Sequence, residues 1–221
     1  MDDLLLTDKN GVCHFLRMGR KADVDRIVDA VEGAEKLTSA EFVVALEARS
    51  GSYRDIDLMF AMGLNFVVIL FAFFHPTFVV TLWLPLNLII LFASAWLFSA
   101  YTPFIRRLLC ARERLERQVK EQAQLHFLDQ CVTQTRGRTG IMVLVSQLEK
   151  RVAVVADSGV MRAVDDGKWK GLMGKIQDGF DGGDLSATAV QAVAKLGEFL
   201  AEPLPVAEDD IDELSNVPSL H

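Results

Sequence analysis

Cysteine is scarce in this chain: Cys13, Cys110 and Cys131 are the only ones among 221 residues. Their odd number and their spacing fit neither a disulfide framework nor a redox or zinc motif, which points to unpaired thiols in a reducing compartment. The four histidines, His14, His75, His126 and His221, are scattered. Cys13-His14 is the one adjacent thiol–imidazole pair, and it has no third partner nearby in sequence to complete a nucleophilic set. No G-x-S-x-G elbow, phosphate-cradling glycine loop or zinc spacing occurs. Positive charge is also in deficit, with 23 Lys and Arg against 30 Asp and Glu. Bases are concentrated only at residues 106–120, where six stand beside Glu113 and Glu116. A nucleic-acid partner is therefore not expected, because such proteins spread basic charge over a whole face.

The most consequential absence is of charge in the middle of the chain. Two apolar runs, residues 58–74 and 78–100, contain no charged side chain and are separated only by His75-Pro76-Thr77. The first run, at 17 residues, would span roughly 25 Å as a helix, close to the thickness of a bilayer's hydrocarbon core. Eleven of its residues are Leu, Ile, Val or Phe, which favour insertion enough to outweigh Gly63 and Asn65. The second run carries Pro85, expected to kink it or to be accommodated by the neighbouring helix, and Trp83, Trp96 and Tyr101 near its ends, where an aromatic belt would sit. Together the runs predict a transmembrane helical hairpin. Within it, Ala95 and Ser99 form a small-xxx-small pair for close helix approach. Asn65 and Asn87 are read as hydrogen-bonding glue between helices; a transporter or channel subunit, the other reading, has no charged path to support it.

Arg49 and Arg54 precede the hairpin, and Arg106, Arg107, Arg112, Arg114, Arg117 and Lys120 follow it, whereas the turn has no base. The positive-inside rule then puts both termini in the cytosol and His75-Pro76-Thr77 on the far side. Met1-Asp2-Asp3 opens acidic and only Leu4-Leu5-Leu6 follows, so no signal peptide is expected. Arg106, Arg107, Arg112 and Arg114 are the residues expected to meet anionic headgroups.

The flanks read as parts of one soluble α/β domain. Before the hairpin, Val24, Ile27, Val28, Val31 and Ala34 recur at helical spacing, with Asp23 as N-cap, and residues 41–47 read as a buried strand. After it come a long helix from about Phe104 to Thr135, a β-hairpin of strands 141–146 and 151–156, and helices at 166–180 and from Asp184 to about Leu200. Neither flank has strands enough for a sheet, so the two must share one. The expected organisation is an N-terminal segment (1–19), a first domain part (20–55), the hairpin (56–103), a second domain part (104–201) and a loosely ordered acidic tail (202–221).

This order and several strings resemble the TPM domain family, named for thylakoid-lumen, photosystem-repair and acetylcholine-receptor-modulator proteins. Thr38-Ser39-Ala40-Glu41-Phe42-Val43-Val44 looks like the family's opening to its first strand, and residues 139–146 and 151–159 resemble its paired central strands. Trp169, Gly183-Asp184 and Asp210-Ile211-Asp212-Glu213-Leu214-Ser215-Asn216 are similar to a bacterial branch. The resemblance covers roughly residues 20–55 and 104–216. It implies a compact sandwich of a small sheet and helices, with roles ranging from assembly of membrane complexes to weak acid phosphatase activity or calcium binding. The leading expectation is a non-enzymatic binding or assembly module for other membrane proteins, with membrane lipid as a further partner and homo-oligomerisation left open. The alternative is a weak phosphatase dependent on calcium or another divalent cation. Metal-assisted hydrolysis needs clustered carboxylates, and Glu41, Asp157 and Asp184 are the candidate ligands. Asp184 also stands where a helix N-cap belongs.

Overall fold

The computed structural model describes residues 6–7, 13–14, 21–74, 84–180, 184–206 and 218–220. The expected turn at residues 75–77, Trp83, the break at Asp181-Gly182-Gly183 and the string at residues 210–216 lie outside the described residues. The architecture is mixed α/β, and the chain divides into two units. One comprises residues 1–50 and 116–221; the other comprises residues 51–115.

The first unit is organised by three apolar strands, each of which alternates its side chains between two covered faces. A short antiparallel pair, β1 (Leu6–Thr7) and β2 (Cys13–His14), precedes helix α1 (Lys21–Glu35) and strand β3 (Glu41–Glu47). Strand β3 lies parallel to β4 (Gly140–Ser146), in register from Glu41 opposite Gly140 to Glu47 opposite Ser146. Strand β5 (Arg151–Ala156) returns antiparallel to β4. Parallel strands need a long crossover, and here it contains the entire apolar region. At the far edge β6 (Ser219–Leu220) pairs parallel with β3, giving the order β5-β4-β3-β6. The end of the acidic tail is therefore tied to the sheet rather than loose, because β3 would otherwise present an unpaired edge.

Phe42, Val44, Leu46, Ile141, Val143 and Val145 face one layer of helices. That layer is built by α1, α7 (Asp166–Asp178) and α8 (Leu185–Leu200), whose Ile27, Val31, Ile176, Val193 and Leu196 are buried with them. Each such large apolar side chain contributes about 1.5–3 kcal/mol on burial. Helices α1 and α8 approach closely at Gly197, where a Cβ would lie 2.7 Å from the Cβ of Ala34. The opposite face, Val43, Ala45, Met142 and Leu144, is covered by Val119, Ala123 and Phe127 of α5 (Arg112–Asp129) and by Val132 of a 3-10 turn, Val132–Gln134.

Local chemistry sets several boundaries differently from the sequence reading. Helix α1 begins at Lys21, so Asp23 lies in its first turn rather than capping it. Asp165 caps α7 by accepting from the Lys168 amide at 2.9 Å, and the helix ends at Asp178 rather than at residue 180. A six-residue helix, α6 (Ser158–Ala163), precedes it and was not expected. Leu185, Ala189, Ala192, Val193, Leu196 and Leu200, which recur at helical spacing, form the buried face of α8.

The second unit holds α2 (Arg54–Phe74), α3 (Leu84–Tyr101) and α4 (Pro103–Leu109). Helices α2 and α3 are long and apolar enough to cross a membrane. Large side chains such as Phe66, Phe73, Ile89 and Phe98 face outward from both. Beyond Ile56 and Asp57 at the start of α2, the buried positions along the pair are the small residues Ala61 and Ala72 of α2 and Ala95 and Ser99 of α3, which let the backbones approach. Pro85 is the second described residue of α3, where a first-turn site tolerates proline. The long helix expected from Phe104 onward is broken at Cys110, which adopts an extended backbone between α4 and α5.

Candidate functional site at the base of the apolar helices

Asp57 is one turn into α2 and only 1% exposed. Arg106 of α4 meets it with two hydrogen bonds, Nε to Oδ1 at 3.0 Å and Nη2 to Oδ2 at 2.7 Å. The Ser99 hydroxyl donates to the same Oδ1 at 2.8 Å. The start of α2, the end of α3 and the middle of α4 are therefore joined at one carboxylate, which makes α2 and α3 antiparallel. A bidentate guanidinium with an added hydroxyl donor is the arrangement that makes a buried ion pair tolerable in a low-dielectric setting. A second pair flanks it: Arg114 reaches Asp55 with Nη1–Oδ2 at 2.5 Å and Nη2–Oδ1 at 3.0 Å, its guanidinium 5.9 Å from the Tyr53 ring centre.

These two pairs account for the break at Cys110. On an unbroken helix Arg106 and Arg114 would stand about 12 Å apart along the axis, whereas their partners Asp55 and Asp57 are two residues apart. Interrupting the helix lets both arginines reach the start of α2. Arg106 is thus buried against Asp57 instead of facing headgroups, and Arg114 is shared with Asp55. Arg107 is half-buried and Arg112 exposed, and neither makes an ion pair with a described residue. Asp57 escaped the sequence reading because it adjoins the charge-free run; an acid at that edge with an arginine at the matching depth on the return was the available signal.

Ala95 and Ser99 are buried where α2 and α3 meet, and Ser99 adds its bond to Asp57. Asn65, expected to bridge the helices, donates to the Ala61 carbonyl of its own helix at 3.0 Å. Asn87 is exposed. Beside α2 runs an apolar groove of about 400 Å³, floored by Ile56, Phe60, Gly63 and Val67 and closed on one side by Leu109 of α4.

In the sheet-containing unit, Glu41 and Asp157 come to the same end of the sheet, on either side of Gly140. Glu41 is paired opposite Gly140 across β3–β4, and the Asp157 amide donates to the Gly140 carbonyl at 2.9 Å. Asp157 Oδ1 caps α6 by accepting from the Ser158 amide at 2.5 Å. Its Oδ2 is buried without a hydrogen bond, with Arg138 Nη1 3.8 Å away. Asp184 stands at the start of α8, which packs on the face opposite the one Glu41 shares with Val43 and Ala45. It accepts from Ser186 Oγ at 2.6 Å and the Ala187 amide at 3.0 Å. Those donors, with Arg26 at 3.6 Å, hold its carboxyl below the ordinary value, the Ser186 hydroxyl contributing most. Among the described residues no three His, Cys, Asp or Glu side chains gather as a metal site.

The other end of the sheet holds a buried polar cluster that the sequence reading did not single out. His126 Nε2 lies 2.7 Å from Glu47 Oε1, to which Gln122 Nε2 also donates at 2.9 Å. Ser146 donates to Glu149, which also accepts from the Ser50 amide at 3.1 Å. The legible signal was position: Gln122 and His126 neighbour Ala123 and Phe127 on the covered side of α5, and Glu47 has the parity of Val43 and Ala45.

No family model and no curated protein matches the chain. Among solved structures it is similar to the BA42 protein of the psychrophilic bacterium Bizionia argentinensis, determined by NMR, with a TM-score of 0.58 and 21% identity over 94% of this chain and 99% of that one. At that identity the likeness concerns the fold alone.

Proposed function

We propose that this chain is a membrane-anchored binding or assembly module of the TPM type, held at the cytosolic face of a bacterial inner membrane with both termini in the cytosol. The observation that carries the reading is the disposition of charge in the apolar region. Outward-facing side chains on α2 and α3 are large and apolar, while Asp57 and Arg106 are turned inward on each other. Such a pair suits an anchor of fixed geometry, and it leaves no unpaired intramembrane charge of the kind that marks an ion or substrate path. The sheet drawn from both sides of the crossover supports a single globular module carried by that anchor. An even number of crossings returns the chain to the side it left, which lets its two halves fold together.

A metal-dependent phosphatase is the second reading, favoured by one observation: the buried Asp157 Oδ2 without a hydrogen bond, at the sheet end that also holds Glu41. Purified protein distinguishes the two. For the binding module, a membrane protein co-purifies with the full chain and is retained by Asp157→Ala. Metal-dependent phosphate release that disappears in folded Asp157→Ala would displace it. A reporter joined after His221 should be active only in the cytosol; activity on the far side would overturn the orientation.

A further inference from the structure

We propose that the groove along α2 is a binding site for one acyl chain of an anionic phospholipid, whose phosphate is met by Arg54, Arg107 and Arg112. The proposal rests on the membrane-anchor reading and gives that anchor a specific lipid. Every residue flooring the groove is apolar, and from Ile56 to Val67 it follows α2 for about 16 Å. One end is marked by the ion pair: Ile56 adjoins Asp57, and Leu109 lies one turn beyond Arg106 on α4. A tail entering there would run from the polar boundary toward the centre of the bilayer.

Charge complementarity selects the occupant. Residues 51–115 hold five arginines. Arg106 and Arg114 are neutralised by Asp57 and Asp55, whereas Arg54, Arg107 and Arg112 form no ion pair with a described residue. The three unpaired cations lie within three residues in the chain of Ile56 or Leu109, the two lining residues that neighbour the Asp57–Arg106 pair in sequence. A second copy docked groove to groove would bring like charges together at this end. A phospholipid offers the opposite charge on its head and an apolar tail behind it, in the order the protein presents.

The full chain in vesicles, probed by electron spin resonance with spin-labelled phosphatidylglycerol and phosphatidylcholine, tests the site. The expected result is a motionally restricted lipid fraction that prefers phosphatidylglycerol several-fold. Replacing both Arg107 and Arg112 by Gln should remove most of that preference, since one cation near an anionic surface is worth up to roughly five-fold. Gly63→Phe fills the groove and leaves the arginines in place; a Cβ at Gly63 meets nothing within 4 Å, so the helix accommodates it. It should remove the restricted phosphatidylglycerol component. Preference that survives Gly63→Phe and vanishes only with the arginines means surface attraction alone and overturns the groove site. Disulfide-linked dimers formed by Gly63→Cys in the vesicles would also overturn it in favour of a second copy. Alkaline carbonate separates the two levels: extraction from the vesicles defeats the anchor reading itself, whereas a retained chain with no lipid preference defeats only this proposal.

Discussion

Arg106 lays its guanidinium across both carboxylate oxygens of Asp57, at 3.0 and 2.7 Å, with both side chains shielded from the surface. Breaking such a pair on one side leaves a buried charge without a counter-ion, which costs about 3–5 kcal/mol, whereas replacing both partners by well-packed apolar residues is often neutral. Asp57→Ala should therefore lower the resistance of the detergent-solubilised protein to SDS unfolding by an amount in that range. Asp57→Leu combined with Arg106→Met should recover most of it. A double variant as weak as Asp57→Ala would show that the pair does more than neutralise itself.

Gly197 offers a separate test in the sheet-containing unit. A Cβ there would stand 2.7 Å from the Cβ of Ala34 and 3.0 Å from its Cα. Gly197→Val should destabilise by about 1–3 kcal/mol through overpacking, read as a lower urea midpoint. Ala34→Gly should return part of the loss by clearing the opposing methyl. Failure of that rescue would mean that the α1–α8 contact is not what the glycine serves.

Strands β3, β4 and β5 were legible because each is a short, nearly continuous apolar run between polar turns. The α8 face was legible because its apolar residues keep a strict helical spacing. The break at Cys110 was not, since nothing local forbids a helix there; it follows from two arginines reaching acids two residues apart on another helix. Helix α6 is too short to show a period, and its cap, Asp157, reads equally well as a strand-end carboxylate. Of the candidate metal residues, Glu41 and Asp157 share one sheet end through their neighbour Gly140. Asp184 does not join them, because capping α8 assigns it to the other layer. Asn65 misled because an amide in an apolar helix can satisfy itself on the preceding turn as readily as across an interface.

The depressed carboxyl of Asp184 carries a pH signature. Its value in the folded chain lies below the ordinary 3.8, so the ionised form binds the Ser186 and Ala187 donors more strongly than the protonated form does. The resulting stability is present above that ordinary value and is lost as pH falls through the lowered one. At neutral pH Asp184→Ala should cost about 1 kcal/mol, as for other helix caps. The gap between variant and native protein should narrow in acid, below about pH 4. Thermal unfolding compared across pH measures it, and a constant gap would show that the cap acts through shape and not charge.

At the opposite sheet end, His126 and Glu47 are 2.7 Å apart and both buried, with Gln122 on the same carboxylate oxygen. Removing either partner leaves the other desolvated with a lost bond, a cost of about 1–3 kcal/mol. Glu47→Gln and His126→Phe should each destabilise, yet the double variant should cost less than the sum, because the second change removes the group that the first left unsatisfied. Urea unfolding of the four species forms a complete cycle, and residues in one such network show coupling of about 0.5–3 kcal/mol. Simple additivity would mean that the imidazole and the carboxylate are buried side by side without holding β3 to α5. A coupling in the expected range would make this pair, drawn from opposite sides of the long crossover, one of the bonds that fastens the two halves of the sheet-containing unit together.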